Sequence, residues 1–170
     1  MAQLHNRVSN KELKQKLYEE AFERTTISFY QYFTIQDPAK FRDDMYQALN
    51  AMQVFGRIYI ATEGINAQIS VPSHNMEIFK DYLYSFKPLN GLRLNIAVND
   101  DGKSFWVLRI KVRDKIVADG LNDDTFDVTN KGLHLRADEF NDIIQQDNTI
   151  LIDMRNHYET EVGQIGRAHV

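Results

Sequence analysis

Between Thr26 and Val98 the spacing of apolar residues switches from two to about four and back, twice over, and that order of periods admits very few folds. Thr26 to Phe33 is rich in aromatic and β-branched residues, which suits a strand. Asp37-Pro38 opens a helix with Phe41, Met45, Leu49 and Met52 on one stripe, and Phe55 to Ala61 reads as a second strand. Gly64 marks a turn, after which Ile65, Ala67, Ile69 and Val71 alternate with Asn66, Gln68 and Ser70 as a third strand, ended by Pro72. Ser73 is the expected cap of a second helix that faces Met76, Phe79, Leu83 and Phe86 inward. Leu92, Leu94, Ile96 and Val98 then alternate as a fourth strand. The order β-α-β-β-α-β predicts an α+β domain of the ferredoxin-like kind shared with acylphosphatases: a four-stranded antiparallel sheet with both helices on one face.

The flanks read differently. Asn10 is the expected cap of a helix carrying Leu13, Leu17 and Ala21, so residues 1–25 form a helical extension before a ferredoxin-like domain at 26–118. After the turn signal Asp100-Asp101-Gly102, Phe105 to Val117 predicts a long strand that extends the sheet. Residues 119–132, with four Asp, two Asn and two Gly, predict a linker. Residues 133–163 then predict a strand at Leu133 to Leu135, a helix with Phe140, Ile143 and Ile144, and a buried strand from Thr149 to Ile152. This is the β-α-β opening of an α/β domain, and the length that remains is too short to complete one.

Composition excludes several chemistries. With no cysteine there is no thiolate nucleophile, disulfide or Cys-ligated metal within these residues, and the five histidines lack metal-ligand spacing, so no metal site is expected. No Gly-rich phosphate loop is present. No apolar run approaches the roughly 18 residues of a membrane span, and Met1 to Asn10 lacks the apolar core of a signal peptide, which predicts a cytoplasmic protein with no membrane partner. Charge is uneven: residues 1–118 hold 16 Lys and Arg against 13 Asp and Glu, about +3, while 119–163 hold 3 against 11, about −8. Two parts with different partners carry such a contrast.

The basic part concentrates its charge on the predicted long strand. Trp106, Leu108, Ile110 and Val112 fall on one face, and Arg109, Lys111, Arg113 and Lys115 on the other. Residues two apart on a strand are roughly 6.6 to 7 Å apart, near the separation of successive phosphates in a nucleic-acid strand. This predicts a phosphate-contact face with Arg57 and Lys103 as neighbours, and Tyr30, Tyr32 and Phe105 available for stacking, against the plainer reading of a solvated strand face. Glu63 and Asn66 flank the Gly64 turn and are expected to be exposed at its tip as candidate substrate contacts, although a bland turn has the same sequence.

Leu151-Ile152-Asp153-Met154-Arg155, followed by Glu159 and Val162-Gly163, resembles the first signature of rhodanese domains, which implies that Asp153, Arg155 and Glu159 belong to the scaffold of such a domain. From Leu4-His5-Asn6-Arg7 onward the chain resembles the oxygen-dependent tRNA uridine hydroxylases, rhodanese-domain proteins that form 5-hydroxyuridine at the wobble position. The resemblance runs through Arg24-Thr25-Thr26-Ile27-Ser28-Phe29-Tyr30, Glu63-Gly64-Ile65-Asn66-Ala67-Gln68-Ile69-Ser70 and Asp101-Gly102-Lys103-Ser104-Phe105-Trp106-Val107-Leu108-Arg109. It implies a ferredoxin-like domain, then a rhodanese domain with an essential cysteine, then a cysteine-rich tail. The first is expected to be complete here and the second only begun. The catalytic cysteine is expected beyond Val170, leaving these residues inactive alone. The resemblance further implies tRNA as partner, with no DNA, and molecular oxygen as co-substrate; it identifies no other cofactor.

The family pattern breaks after Gly163. Ile165 to Val170 is the translation of ATC GGA AGA GCA CAC GTC, a common sequencing adapter, and the two adapter bases before it complete a codon begun by C as Gln164. Residues 164–170 are therefore expected to be a non-native tail. The leading functional expectation is the RNA-binding part of a tRNA uridine hydroxylase; a rhodanese-type sulfurtransferase and a non-catalytic RNA-binding module are the alternatives. An acylphosphatase is disfavoured because the turn from Thr34 to Asp37 has no arginine to bind phosphate.

Overall fold

In the computed structural model, residues 9–98, 100–117, 130, 132–155, 157–161 and 163 are described. The elements are α1 (Asn10–Tyr18), β1 (Arg24–Tyr32), α2 (Pro38–Ala51), β2 (Phe55–Ala61), β3 (Gly64–Pro72), α3 (Met76–Tyr84), β4 (Asn95–Ile96), β5 (Leu108–Val112), α4 (Ala137–Ile143) and α5 (His157–Thr160). The chain divides into two units, Met1–Thr129 and Asn130–Val170.

In the first unit the sheet order is β4-β1-β3-β2-β5. β3 lies antiparallel between β1 and β2, and β4 pairs antiparallel with β1, which is the predicted ferredoxin-like arrangement. β5 adds a parallel strand on the free edge of β2. Every second residue of the sheet turns to one face: Ile27, Phe29, Ile58, Ile60, Ile65, Ala67, Ile69, Val71, Leu108 and Ile110 are buried there with Met45 and Leu49 of α2 and Phe79 and Leu83 of α3. Asp37 caps α2, its carboxylate accepting the Lys40 N–H at 2.9 Å. Gly64 has φ +149, and a Cβ there would stand 2.1 Å from the Gln31 carbonyl oxygen, so the hairpin needs glycine for both conformation and space.

Several expectations need correction. The cap of α1 is Ser9, not Asn10, because the Ser9 hydroxyl reaches the Glu12 N–H at 3.3 Å, and Ala21 lies beyond the helix end. Ser73 does not cap α3; it begins a 3-10 turn over Ser73–Asn75 that leads into the helix. The fourth strand is far shorter than its alternation suggests. Leu92 and Leu94 pack on the core edge, and the Leu92 backbone is spent outside the sheet, its N–H on the Leu89 carbonyl at 3.1 Å and its carbonyl on the Tyr84 hydroxyl at 3.0 Å. Ile96 and Val98 are then left exposed at 65% and 85%. The long strand predicted from Phe105 to Val117 forms only from Leu108 to Val112, since its partner β2 ends at Ala61 and the Arg113 N–H makes the last bond, to the Ile60 carbonyl at 2.8 Å.

In the second unit α4 starts where the Glu139 carboxylate accepts the Arg136 N–H at 2.8 Å. Leu133 to Leu135 form no strand, and Thr149 to Ile152 reduce to a single bridge residue at Ile152. Leu133, Ile150, Ile152 and Met154 are exposed. A strand needs a partner for its backbone groups, and the described residues of this unit hold none beyond that bridge. Most of the expected linker, and residues 164–170, lie outside the described residues.

Candidate nucleic-acid interface

The sheet face away from α2 and α3 is polar and basic. Register places Ser28, Gln68, Arg57 and Arg109 side by side across β1, β3, β2 and β5. One step along, Tyr30, Asn66, Tyr59 and Lys111 form a second row. Neighbouring strands lie about 4.8 Å apart and successive rows about 7 Å apart, so Arg57, Arg109 and Lys111 form a cluster spread over two strands rather than a line along one. Arg57, Arg109 and Lys111 are exposed.

Two loops bracket this cluster. At one end Asp100 and Asp101 accept the N–H groups of Gly102 and Lys103 at 3.1 and 2.9 Å, and the Ser70 hydroxyl donates to the Gly102 carbonyl at 2.7 Å. Gly102 has φ +72, and a Cβ there would stand 2.5 Å from the Arg24 carbonyl oxygen, which lets the loop lie flat against β1. The loop carries Phe105 and Trp106 to the rim of a groove of about 250 Å³ lined by Arg57, Ser104, Phe105, Trp106, Val107 and Arg109. The Arg57 guanidinium stands over the Phe105 ring at 5.7 Å, and the Lys14 ammonium of α1 over Trp106 at 4.3 Å.

At the other end the chain after β5 turns back over the second row. The Glu63 carboxylate accepts the Ile116 N–H at 2.8 Å, and the Asn66 amide donates to the Ile116 carbonyl at 3.2 Å. Ile116 is buried outside the main core cluster. Glu63 and Asn66, expected exposed at a hairpin tip, are instead half-buried and hold both backbone groups of Ile116, because the hairpin supplies the acceptor and donor that this returning segment lacks.

The predicted row of four cations is therefore divided. Arg109 and Lys111 sit on β5 beside Arg57, while Arg113 lies past the strand with its guanidinium 5.6 Å from the centre of the Tyr59 ring. Lys115 is half-buried in the returning segment, and Lys103 stands over the Tyr18 ring at 4.7 Å, in the loop. Trp106, predicted to face inward with Leu108, instead lines the groove, since the two-residue period begins only at Leu108. Tyr30 is 59% exposed and meets Tyr32 edge-on at 6.3 Å.

Arg24, which the sequence marks only as the first residue of a stretch shared with the resembled family and to which it assigns no role, organises the adjoining end of the sheet. Its buried guanidinium pairs with both oxygens of Glu20 at 2.6 and 2.8 Å and donates to the carbonyls of Gln53 and Ser70, while lying 4.1 Å from the centre of the Phe55 ring. In the second unit Arg155 grips Asp153 through Nε and Nη2 and donates to the Gly163 carbonyl at 2.9 Å. The Arg155 hydrogen bonds hold the Asp153 carboxyl down at about 2, and Glu159 adds to the favourable field at Arg155.

No described helix is long and apolar enough to cross a membrane, and among the described residues no group of acidic and histidine side chains converges as a metal site. The chain is 57% identical over 169 residues to a tRNA uridine(34) hydroxylase of Photorhabdus laumondii. It is 59% identical to proteins of that name from Salmonella schwarzengrund and Cronobacter sakazakii. Each alignment covers 99% of this chain and 48% of the relative, so the chain spans about half the length of the curated relatives it matches. The family model described as the UPF0176 acylphosphatase like domain matches residues 24–116, from the first residue of β1 to the clamped Ile116. That match takes in the whole sheet and both loops that frame its basic face, and the chain belongs to this family.

Proposed function

We propose that the first unit is the tRNA-binding domain of a protein that hydroxylates the wobble uridine of tRNA to 5-hydroxyuridine. The observation that carries this reading is the union, on one sheet face, of Arg57, Arg109 and Lys111 with the aromatic rim of Phe105 and Trp106. Guanidinium and ammonium groups neutralise phosphates, and exposed rings accept unstacked bases, as single-stranded RNA loops require. The similarity to proteins named tRNA uridine(34) hydroxylase supports tRNA as the substrate and uridine 34 as the position. These residues contain no cysteine, and the chemistry that the rhodanese resemblance places on a cysteine belongs to further chain, with Asp153, Arg155 and Glu159 as scaffold. Molecular oxygen is the proposed co-substrate and the cytoplasm the proposed location.

The test is mass spectrometry of wobble nucleosides from cells that lack the full-length gene, before and after complementation. Restored 5-hydroxyuridine is the expected result. Restored thiolated uridine would establish a sulfurtransferase instead, and tRNA binding without any nucleoside change would leave a binding module.

A further inference from the structure

Resting on the tRNA reading above, we infer that the groove between Phe105, Trp106 and the Arg57–Arg109 pair is a subsite for one unstacked nucleotide of a single-stranded RNA segment, its base on the aromatic rim and its phosphate between the two guanidinium groups. Three observations converge on it. Arg57 and Arg109 are adjacent in register, exposed, and without an ion pair among the described residues, so their charges are available to an anion. Phe105 and Trp106 are only half-buried, although rings of this size gain most from full burial, and both line the same groove as the two arginines. The rim is also held in place: the Gly56 N–H donates to the Val107 carbonyl at 2.9 Å and the Ser70 hydroxyl to the Gly102 carbonyl at 2.7 Å, fixing the loop on both sides of the rings. At about 250 Å³ the groove falls below the roughly 300 Å³ at which clefts for whole small molecules begin, and it suits one nucleotide of a longer strand.

The chain has a single tryptophan, so its emission reports on the rim alone. The 170-residue chain is titrated with pentauridylate and with a five-unit abasic phosphodiester of the same charge. The subsite predicts saturable quenching of Trp106 by pentauridylate and little by the abasic strand. Phe105→Leu, which keeps apolar bulk but removes the stacking face, should weaken pentauridylate binding about 5- to 150-fold, the strength of one base–aromatic stack, with an unchanged melting temperature. Equal quenching by both strands, or no quenching while tRNA still binds, overturns the subsite and leaves the tRNA reading standing. Failure to bind tRNA at all overturns both.

Discussion

The Glu63 carboxylate accepts the backbone N–H of Ile116 at 2.8 Å, tying the β2–β3 hairpin to the segment that follows β5. A hydrogen bond to a charged acceptor contributes about 1.5 to 3 kcal/mol, and half-burial of Glu63 places this one near the lower end. Glu63→Ala should therefore lower stability by about 1 to 2 kcal/mol and speed hydrogen exchange at the Ile116 amide; Glu63→Gln, which keeps an acceptor, should lose less. Chemical denaturation and amide exchange read both effects. Unchanged protection at Ile116 in the Ala variant would show that the clamp contributes nothing.

Arg24 presents a harsher case. Its replacement by Ala leaves the Glu20 carboxylate and the Gln53 and Ser70 carbonyls without their donor and removes the cation from the Phe55 face. Breaking a buried pair in this way costs roughly 3 to 5 kcal/mol. Arg24→Lys should recover only part, because an ammonium cannot make the paired contact with Glu20 while reaching both carbonyls. Urea melts of the three proteins give the order wild type, Lys, Ala; equal midpoints for Lys and wild type would contradict the bidentate geometry.

On the proposed reading, substitution of Arg57, Arg109 and Lys111 by Gln should weaken tRNA binding across species without changing which tRNA is preferred, since phosphate contacts position and base contacts specify. Each lost contact should reduce the slope of log affinity against log salt by roughly 0.7 to 0.9. Leu108→Ala is the contrasting change: Leu108 is buried, and its truncation should cost roughly 2 to 5 kcal/mol of stability. A salt titration of tRNA binding that gives the same slope for wild type and triple variant would mean the basic face is only solvated.

Asp153 predicts a pH response in the second unit. Its carboxyl titrates at about 2 in the folded chain because Arg155 hydrogen-bonds the charged form, against about 3.9 for an unperturbed Asp. The folded value is depressed, so the stabilisation is fully present above about 4 and is lost as pH falls through about 2. Carbon-detected NMR of the Asp153 carboxyl should show this midpoint in the wild type and a return toward 3.9 in Arg155→Gln. A wild-type midpoint near 4 would mean that the Asp153–Arg155 pair does not persist in solution.

Where the sequence was informative, the reason was local. The alternation of Ile65, Ala67, Ile69 and Val71 and the four-residue stripe of Met45 and Leu49 each report which face of a single element is buried, and those residues are buried as expected. Asp37 before Pro38 and Gly64 at the hairpin likewise act within a few residues of themselves. The period said nothing about partners. β5 stops at Val112 because β2 offers no further edge, and Glu63 and Asn66 are occupied because the chain returns over them. Arg57 stands beside Arg109 because a parallel strand adds to β2 in one register out of many, and Trp106 reaches the groove because Gly102 lets its loop lie on β1. Which faces are apolar was written in the sequence by side-chain spacing; which charges and rings meet was decided by strand pairing and loop return, whose hydrogen bonds join residues far apart in the chain and leave no local period.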